Sequence, residues 1–382
     1  MIMKIFIHKI KNVLIAVGVL LIINSQPLSA QKTKEPHLDS LFLMMNSNPD
    51  KVIILGKELY KKYKGNPKME ISILTIIGSS YSVKKDYEKA IEYAFKTREI
   101  SQKINDYPTQ IQVAGFIGEK YHNLNIYSKA KYYADEAYEL IEKHPLPKSL
   151  KFYKGNILFL KALIYRDELG CDFAKTYYNK ALEVYIPAMK DREMLRFSIA
   201  DIYNEIGGCY LEENKFENAK ESFENSLKYA VNGDFALLNA ESLAGLGRIL
   251  YLQKNYAKAK QEFDKAILIL KSNKVENANP DVYKYISENY YALNDIDNHT
   301  FYLNLYKQKT NTDISAKKKS VNQIIVKKTA EENSINGNSG KYWIIIILCI
   351  LIALVLYQIF QTRSKIRKLK KQISEDEDSS TG

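Results

Sequence analysis

Residues 243–266 read LAGLGRILYLQKNYAKAKQEFDKA, and they reveal the architecture of most of the chain. Within them the small Gly247 is followed three places later by the bulky Leu250 and twelve places later by Ala259. Four earlier stretches repeat this order: Gly78, Tyr81 and Ala90; Gly118, Tyr121 and Ala130; Ala162, Tyr165 and Ala174; Gly207, Tyr210 and Ala219. Because the copies recur every 40 to 45 residues, the pattern predicts a solenoid of stacked repeats and not one globular core.

Each copy has the pattern of two amphipathic helices joined by a short turn. Ile71, Leu74 and Ile77 fall on one face of a helix with 3.6 residues per turn. The polar residues 84–86 then form a turn, and a second apolar face follows. The small residue of the first helix and the alanine of the second are expected where the two helices cross closely, since a larger side chain would separate them.

These residues resemble the tetratricopeptide repeat, a two-helix motif with Leu-Gly and then Tyr in its first helix and Ala, Phe and Ala in its second. Leu246 and Gly247, followed by Ala259, Phe263 and Ala266, match this motif best. The resemblance implies an all-α fold, a tetratricopeptide-like α-solenoid of helix pairs. The period of 40 to 45 residues exceeds the 34 residues of the family. Longer helices or longer loops account for the excess.

The segments on either side of the array carry different signals. Lys4, Lys9 and Lys11 precede an apolar stretch and the small residues 28–30, as in a secretory signal peptide. Near the other end, residues 343–360 are apolar and uncharged, which predicts one C-terminal transmembrane helix. The predicted organisation is a signal peptide (1–30), N-terminal capping helices (31–66), helical repeats (67–310), a juxtamembrane segment and linker (311–341), a transmembrane helix (342–360) and a short basic then acidic tail (361–382).

This organisation predicts where the protein resides. The basic residues that directly follow the predicted span place that side in the cytoplasm, and the signal peptide exports the array. We therefore expect a single-pass protein of a bacterial inner membrane with a periplasmic repeat domain. The net charge of +12 does not indicate a nucleic-acid partner, because the lysines are scattered over the predicted helices.

The cysteines decide little at this level. Cys349 falls in the predicted span, Cys171 in a turn and Cys209 in a helix of the next repeat. A solenoid does not need a disulfide for its stability, so a bridge between Cys171 and Cys209 is not favoured and their pairing stays open.

No combination of residues in the sequence indicates catalysis. The five histidines are dispersed, and there is no phosphate-binding glycine loop, nucleophile motif or paired-cysteine motif. We therefore predict neither an enzyme nor a cofactor or metal site. In the family that the chain resembles, the first helix of each repeat lines a concave groove. Carried onto this sequence, the resemblance implies a ligand groove that contains Gln112, His122, Asn123, Asn156, Phe159, Arg166, Asp201, Asn204, Glu241, Arg248 and Tyr251.

Asn, Arg and Tyr side chains in such a groove suit an extended peptide. The function expected is therefore a non-enzymatic, membrane-anchored protein whose solenoid binds a peptide or protein as scaffold or receptor. The layout is also similar to bacterial signalling proteins with an exported tetratricopeptide array, one membrane helix and a helix-turn-helix or kinase domain. No such output domain follows residue 371. The alternative is the sensor part of such a regulator with a missing or separate output domain. Ile366, Leu369 and Ile373 have coiled-coil spacing, which leaves a homodimer open.

Overall fold

The structure is a computed structural model that describes the backbone of residues 36–379, except 231–234, 274 and 276–277. Side chains are described over residues 38–326, with the same gaps, and for parts of 348–363. The described residues are predominantly helical and contain no strand. The chain divides into two units, Met1–Val321 and Asn322–Gly382, and the repeats belong to the first. The predicted signal peptide (1–30) and the side chains of the tail that follows residue 363 lie outside the described residues.

The helices follow one another with short connections. In chain order they are α1 (Pro36–Met44), α2 (Pro49–Lys62), α3 (Pro67–Val83), α4 (Tyr87–Lys103), α5 (Tyr107–Asn123), α6 (Tyr127–Lys143), α7 (Phe152–Leu169), α8 (Cys171–Ala188), α9 (Leu195–Glu212), α10 (Phe216–Tyr229), α11 (Ala236–Leu252), α12 (Tyr256–Ser272), α13 (Pro280–Ala292) and α14 (Ile296–Ser379).

From α3 onward the helices pair as repeats. We call α3, α5, α7, α9, α11 and α13 the A helices, and α4, α6, α8, α10, α12 and the beginning of α14 the B helices. Each of α3, α5, α7, α9 and α11 packs against its own B helix, and the A helices also contact one another in the pairs α5–α7, α9–α11 and α11–α13. The array is therefore an all-α solenoid in which each repeat covers the apolar face of the next.

Small residues allow the two helices of a repeat to approach closely. A Cβ atom on Gly118 would lie 3.1 Å from the backbone oxygen of Ala130. On Gly207 it would lie 2.8 Å from the ring of Phe223, and on Gly247 2.7 Å from the ring of Phe263. The alanines at these crossings are all fully buried. Ala162 lies in an A helix, and the others lie in B helices: Ala90, Ala130, Ala174, Ala219 and Ala259.

The bulky residues of the pattern lie beside the crossing. Tyr121 is buried, while Tyr81, Tyr165, Tyr210 and Leu250 are partly exposed. Three of these tyrosines pack on a second tyrosine twelve residues later, in the B helix: Tyr81 on Tyr93, Tyr121 on Tyr133 and Tyr165 on Tyr177, with ring centroids 4.8 to 5.7 Å apart. Tyr290 and Tyr302 repeat this contact in the last pair. The recurrence of tyrosine in the B helices, twelve residues after the tyrosine of the A helix, is a local sequence signal for this contact.

The turns between A and B helices share one backbone conformation. Lys85, Asn125, Asn214, Lys254 and Asn294 have φ between 58° and 62°. Each follows the small residue of its repeat by seven positions, and Ser287 takes the place of that small residue in the last repeat. A left-handed residue ends the A helix, and asparagine adopts this conformation more easily than most residues. In the third repeat Gly170, with φ 93°, has this role instead.

The last repeat replaces the small pair by a polar one. His299 stands where alanine occurs in the other repeats, and its Nδ1 lies 3.0 Å from the hydroxyl oxygen of Ser287. This hydrogen-bonded pair joins α13 to the start of α14. Residues 311–341, predicted as a juxtamembrane segment and linker, lie within α14.

Within the predicted membrane span, residues 342–360, the structure describes about half of the side chains. Across the part of the chain that is described, no helix is long and apolar enough to cross a bilayer. A span needs about 18 to 20 consecutive apolar residues. The finding contradicts the predicted inner-membrane localisation and, with it, the assignment of the array to the periplasm.

Candidate ligand-binding surface

The second turns of successive A helices carry a row of polar side chains. Gln112, Asn156, Asp201 and Glu241 each precede the small residue of their repeat by six positions, so they occupy equivalent places on α5, α7, α9 and α11. We call these four residues the polar row. Gln112, Asn156 and Asp201 are buried, with exposed fractions of 9%, 3% and 4%, and Glu241 is partly buried.

Asn156 is held by a tyrosine of the same repeat. The hydroxyl of Tyr185 in α8 donates a hydrogen bond of 2.6 Å to Oδ1 of Asn156. Gly155 makes room for this contact, since a Cβ atom there would lie 2.5 Å from the Tyr185 ring. The Nδ2 amide of Asn156 is buried and has no hydrogen-bond partner. The row therefore contains a fixed donor that the fold does not use.

The two acids of the row stand close to one another without a cation. Oδ2 of Asp201 is buried and has no hydrogen-bond partner. Oε1 of Glu241 accepts a hydrogen bond of 3.4 Å from the backbone N–H of Asn279. Burial, and next the charge of Glu241, raise the pKa of Asp201 well above its usual value. Burial raises the pKa of Glu241 to about 7, and the Asn279 N–H partly offsets this. Neither acid forms an ion pair with any described residue.

A second set of charged residues on the same helices is fully paired. Arg166 in α7 contacts Glu205 and, at 3.2 Å, Glu212, both in α9. The hydroxyl of Tyr178 adds a hydrogen bond of 3.2 Å to Glu205. This cluster clamps the third repeat to the fourth. Arg166 was predicted as a groove residue, but its guanidinium is already paired with carboxylates of the same fold.

Arg248 forms the matching clamp two repeats further on, between the fifth repeat and the sixth. It pairs with Glu288 in α13 and lies over two rings, 4.7 Å from the centroid of Tyr251 and 4.8 Å from that of Tyr285. Cation–π contacts of this kind add to the ion pair. Tyr251 is partly exposed and reaches the surface of the A helices. Asn204 is also partly exposed and donates to the backbone oxygen of Leu238 at 3.3 Å.

The remaining predicted groove residues take structural roles in this fold. Nε2 of His122 lies 3.0 Å from Asp167 of the next A helix. Asn123 donates to Glu119 at 3.4 Å, and Glu119 is itself paired with Lys120; both charges are fully buried. Phe159 is fully buried in the hydrophobic core, so it is not available to a ligand and the prediction that it lines the groove is corrected.

A disulfide between Cys171 and Cys209 joins the third repeat to the fourth. The sequence did not favour this bridge, because Cys171 falls in a turn and Cys209 in a helix of the next repeat, and a solenoid does not need a disulfide. The stacking of the repeats nevertheless brings their Cα atoms to 5.4 Å, which lies in the normal range for a disulfide. Sγ of Cys171 lies 3.8 Å from Glu212, so the bridge adjoins the Arg166 clamp.

The beginning of α14 contacts the first two repeats. Asp313 pairs with Lys85, the left-handed residue between α3 and α4. Nζ of Lys317 donates at 3.3 Å to Oδ1 of Asn125, the equivalent residue between α5 and α6. Asp313 is buried, although the helix around it is polar. These contacts join residues about 190 to 230 positions apart, and nothing in the repeat pattern predicts them.

A separate cleft of about 1340 Å³ lies at the loops before α7 and α9. Phe152 forms part of its wall, and the guanidinium of Arg192 lies 4.2 Å from that ring. The cleft is lined by as many acidic as basic side chains and includes no member of the polar row. Its charges select no particular ligand.

Residues 198–272 match the tetratricopeptide repeat family. The array is a tetratricopeptide-type solenoid. No curated protein sequence matches the chain significantly.

The fold is shared with solved structures, of which two are described here. A Rap protein complexed with Competence and Sporulation Factor has 16% sequence identity and a TM-score of 0.56, with 76% of this chain and 80% of that chain covered. The Rap conjugation gene regulator of the plasmid pLS20, in complex with the Phr* peptide, has 17% identity and a TM-score of 0.52, with 70% and 71% covered. At this identity the likeness concerns the tetratricopeptide-like fold alone.

Proposed function

We propose that this solenoid binds an extended peptide or protein segment along the surface of its A helices, and acts as a scaffold or receptor and not as an enzyme. The observation that carries the proposal is the polar row. Asn156 and Asp201 keep a buried donor and a buried acceptor without partners, although buried polar groups in folded proteins are almost always hydrogen-bonded. A peptide backbone and its side chains supply both kinds of partner.

The surroundings of the row also favour a peptide. Asn204, Glu241 and Tyr251 are partly exposed on the same succession of helices. The paired arginines join neighbouring A helices, and a binding surface that is held in place before binding loses less freedom when the ligand binds. Of the solved structures that share the fold, the two described above are complexes, one with Competence and Sporulation Factor and one with the Phr* peptide. A peptide ligand for this chain is consistent with them.

The proposal can be tested by selection from a synthetic library of random octapeptides on the immobilised full-length chain. Selected peptides should crosslink to a photoreactive benzoylphenylalanine introduced at Tyr251, on the A helices. The matched control places the same group at Tyr132, a tyrosine of α6 that is 62% exposed. Crosslinking at position 251 and not at 132 is expected. If no peptide is enriched, or if position 132 crosslinks equally well, the proposed function is wrong.

A further inference from the structure

The structure assigns to the polar row a specific ligand chemistry: Asp201 and Glu241 receive a cationic nitrogen of the bound peptide, either an ammonium or a guanidinium group, and the Asn156 amide donates to a neighbouring peptide carbonyl. This inference rests on the proposed function and names the group by which the peptide is recognised. Two sets of acids on the A helices differ in whether a cation of the fold neutralises them.

The first set is neutralised within the fold. Glu205 and Glu212 share Arg166, and Glu288 pairs with Arg248. Each of these acids lies further along its A helix than the polar row. At both of these contacts between repeats, an arginine neutralises the acids.

The second set is not neutralised. Asp201 and Glu241 occupy equivalent positions on adjacent A helices, and the charge of Glu241 acts on Asp201. No described lysine, arginine or histidine forms an ion pair with either of them. Two like charges held together in a poorly solvated place oppose folding. An asparagine and a glutamine would fit the same space without that cost, so the fold itself gives no reason for carboxylates here.

A cation from outside removes the conflict. It would give Oδ2 of Asp201 the partner that it lacks and would screen Asp201 from Glu241. Glu241, the partly exposed member, gives access from the surface, and the more buried Asp201 lies behind it. Asn156, on the preceding A helix, is uncharged and offers only a donor. The row therefore has a charged end and a neutral end, which also fixes the direction in which a peptide lies.

The test uses the octapeptide selection on the full-length chain, in two arms. One arm uses peptides with a free N-terminus, and the other uses peptides with an acetylated N-terminus. If a side chain supplies the cation, both arms should enrich lysine or arginine at one position. If the α-amino group supplies it, only the free arm should enrich peptides. Affinities are then measured by calorimetry for wild type, for Asp201→Asn and for the control Glu224→Gln, which removes an exposed acid of α10.

We expect Asp201→Asn to weaken the selected peptide about 10- to 100-fold, and Glu224→Gln to leave it unchanged. Replacing the cationic residue of the peptide by norleucine, or acetylating its N-terminus, should cost as much and should abolish the difference between wild type and Asp201→Asn. This second measurement does not depend on the stability of any variant. Selected peptides that carry no cation, or that bind Asp201→Asn as tightly as wild type, overturn this inference but leave peptide binding intact. Failure to select any peptide overturns the proposed function and this inference with it.

Discussion

Glu241 should make the protein less stable as the pH rises through neutrality. The ordinary pKa of a glutamate is 4.5, and in the fold that of Glu241 is about 7. Between these values the folded state keeps a proton that the unfolded state has lost, so the free energy of unfolding falls as the pH rises. At about 1.4 kcal/mol for each tenfold change, the penalty approaches about 3 kcal/mol above pH 7. Solvent screening at this partly exposed group reduces it to about 1–3 kcal/mol.

The substitution Glu241→Gln tests this directly. Glutamine keeps an oxygen that can accept from the Asn279 N–H, and it removes the charge that faces Asp201. We expect the variant to be more stable than wild type at pH 8 and equal to it at pH 4.5. Asp201 faces Glu241 from α9 and acts in the same direction, so Asp201→Asn should also stabilise the protein at pH 8.

The assay is unfolding in urea, followed by far-ultraviolet circular dichroism at pH 4.5, 6 and 8. Solenoids do not always unfold in one step, so the midpoint is compared and not an extrapolated free energy. Glu224→Gln is the matched control, and its midpoint should change equally at all three pH values. If Glu241→Gln gains nothing at pH 8, or gains as much at pH 4.5, then the carboxyl is not desolvated in the fold and the reasoning is refuted.

Three further substitutions probe contacts between repeats. Gly118→Val should destabilise the protein by about 1–3 kcal/mol and so lower the urea midpoint, because a Cβ atom there would lie 3.1 Å from a facing backbone carbonyl. An unchanged midpoint would contradict the close crossing. Arg166→Ala should cost about 3 kcal/mol, since it removes the cation that Glu205 and Glu212 share, and a midpoint equal to that of wild type would show that the clamp is solvated. Cys171→Ser should cost up to about 4 kcal/mol for a loop of 38 residues, and the loss should vanish under reducing conditions; Cys349→Ser, at a free cysteine, is the control. A loss that persists in reductant would mean that the bridge with Cys209 does not form.

Much of the array could be predicted because its signals are local. The small residue at position 247 and the alanine at 259 indicate a helix crossing wherever they recur. A resemblance to known repeats then placed Asn156, Asp201 and Glu241 at equivalent positions on the A helices. The same reasoning misplaced Phe159, because the resemblance identifies a position in the helix and does not show how deeply it is buried in this particular packing. The apolar residues 343–360 and the basic residues that follow them predicted a membrane localisation, and the described helices contradict it.

Periodicity within each stretch of sequence, then, was enough to determine that this protein is a stack of helix pairs, because helix pairing and turn geometry depend on residues fewer than about 20 positions apart. Which acids are neutralised was decided only by the tertiary structure. Arg166 reaches Glu205 and Glu212 across 39 and 46 residues, whereas no described cation reaches Asp201. Likewise, Cys171 meets Cys209, and Lys85 meets Asp313, only after the repeats have stacked. The free energy of a charge or a thiol depends on what surrounds it in three dimensions, and those neighbours come from other repeats.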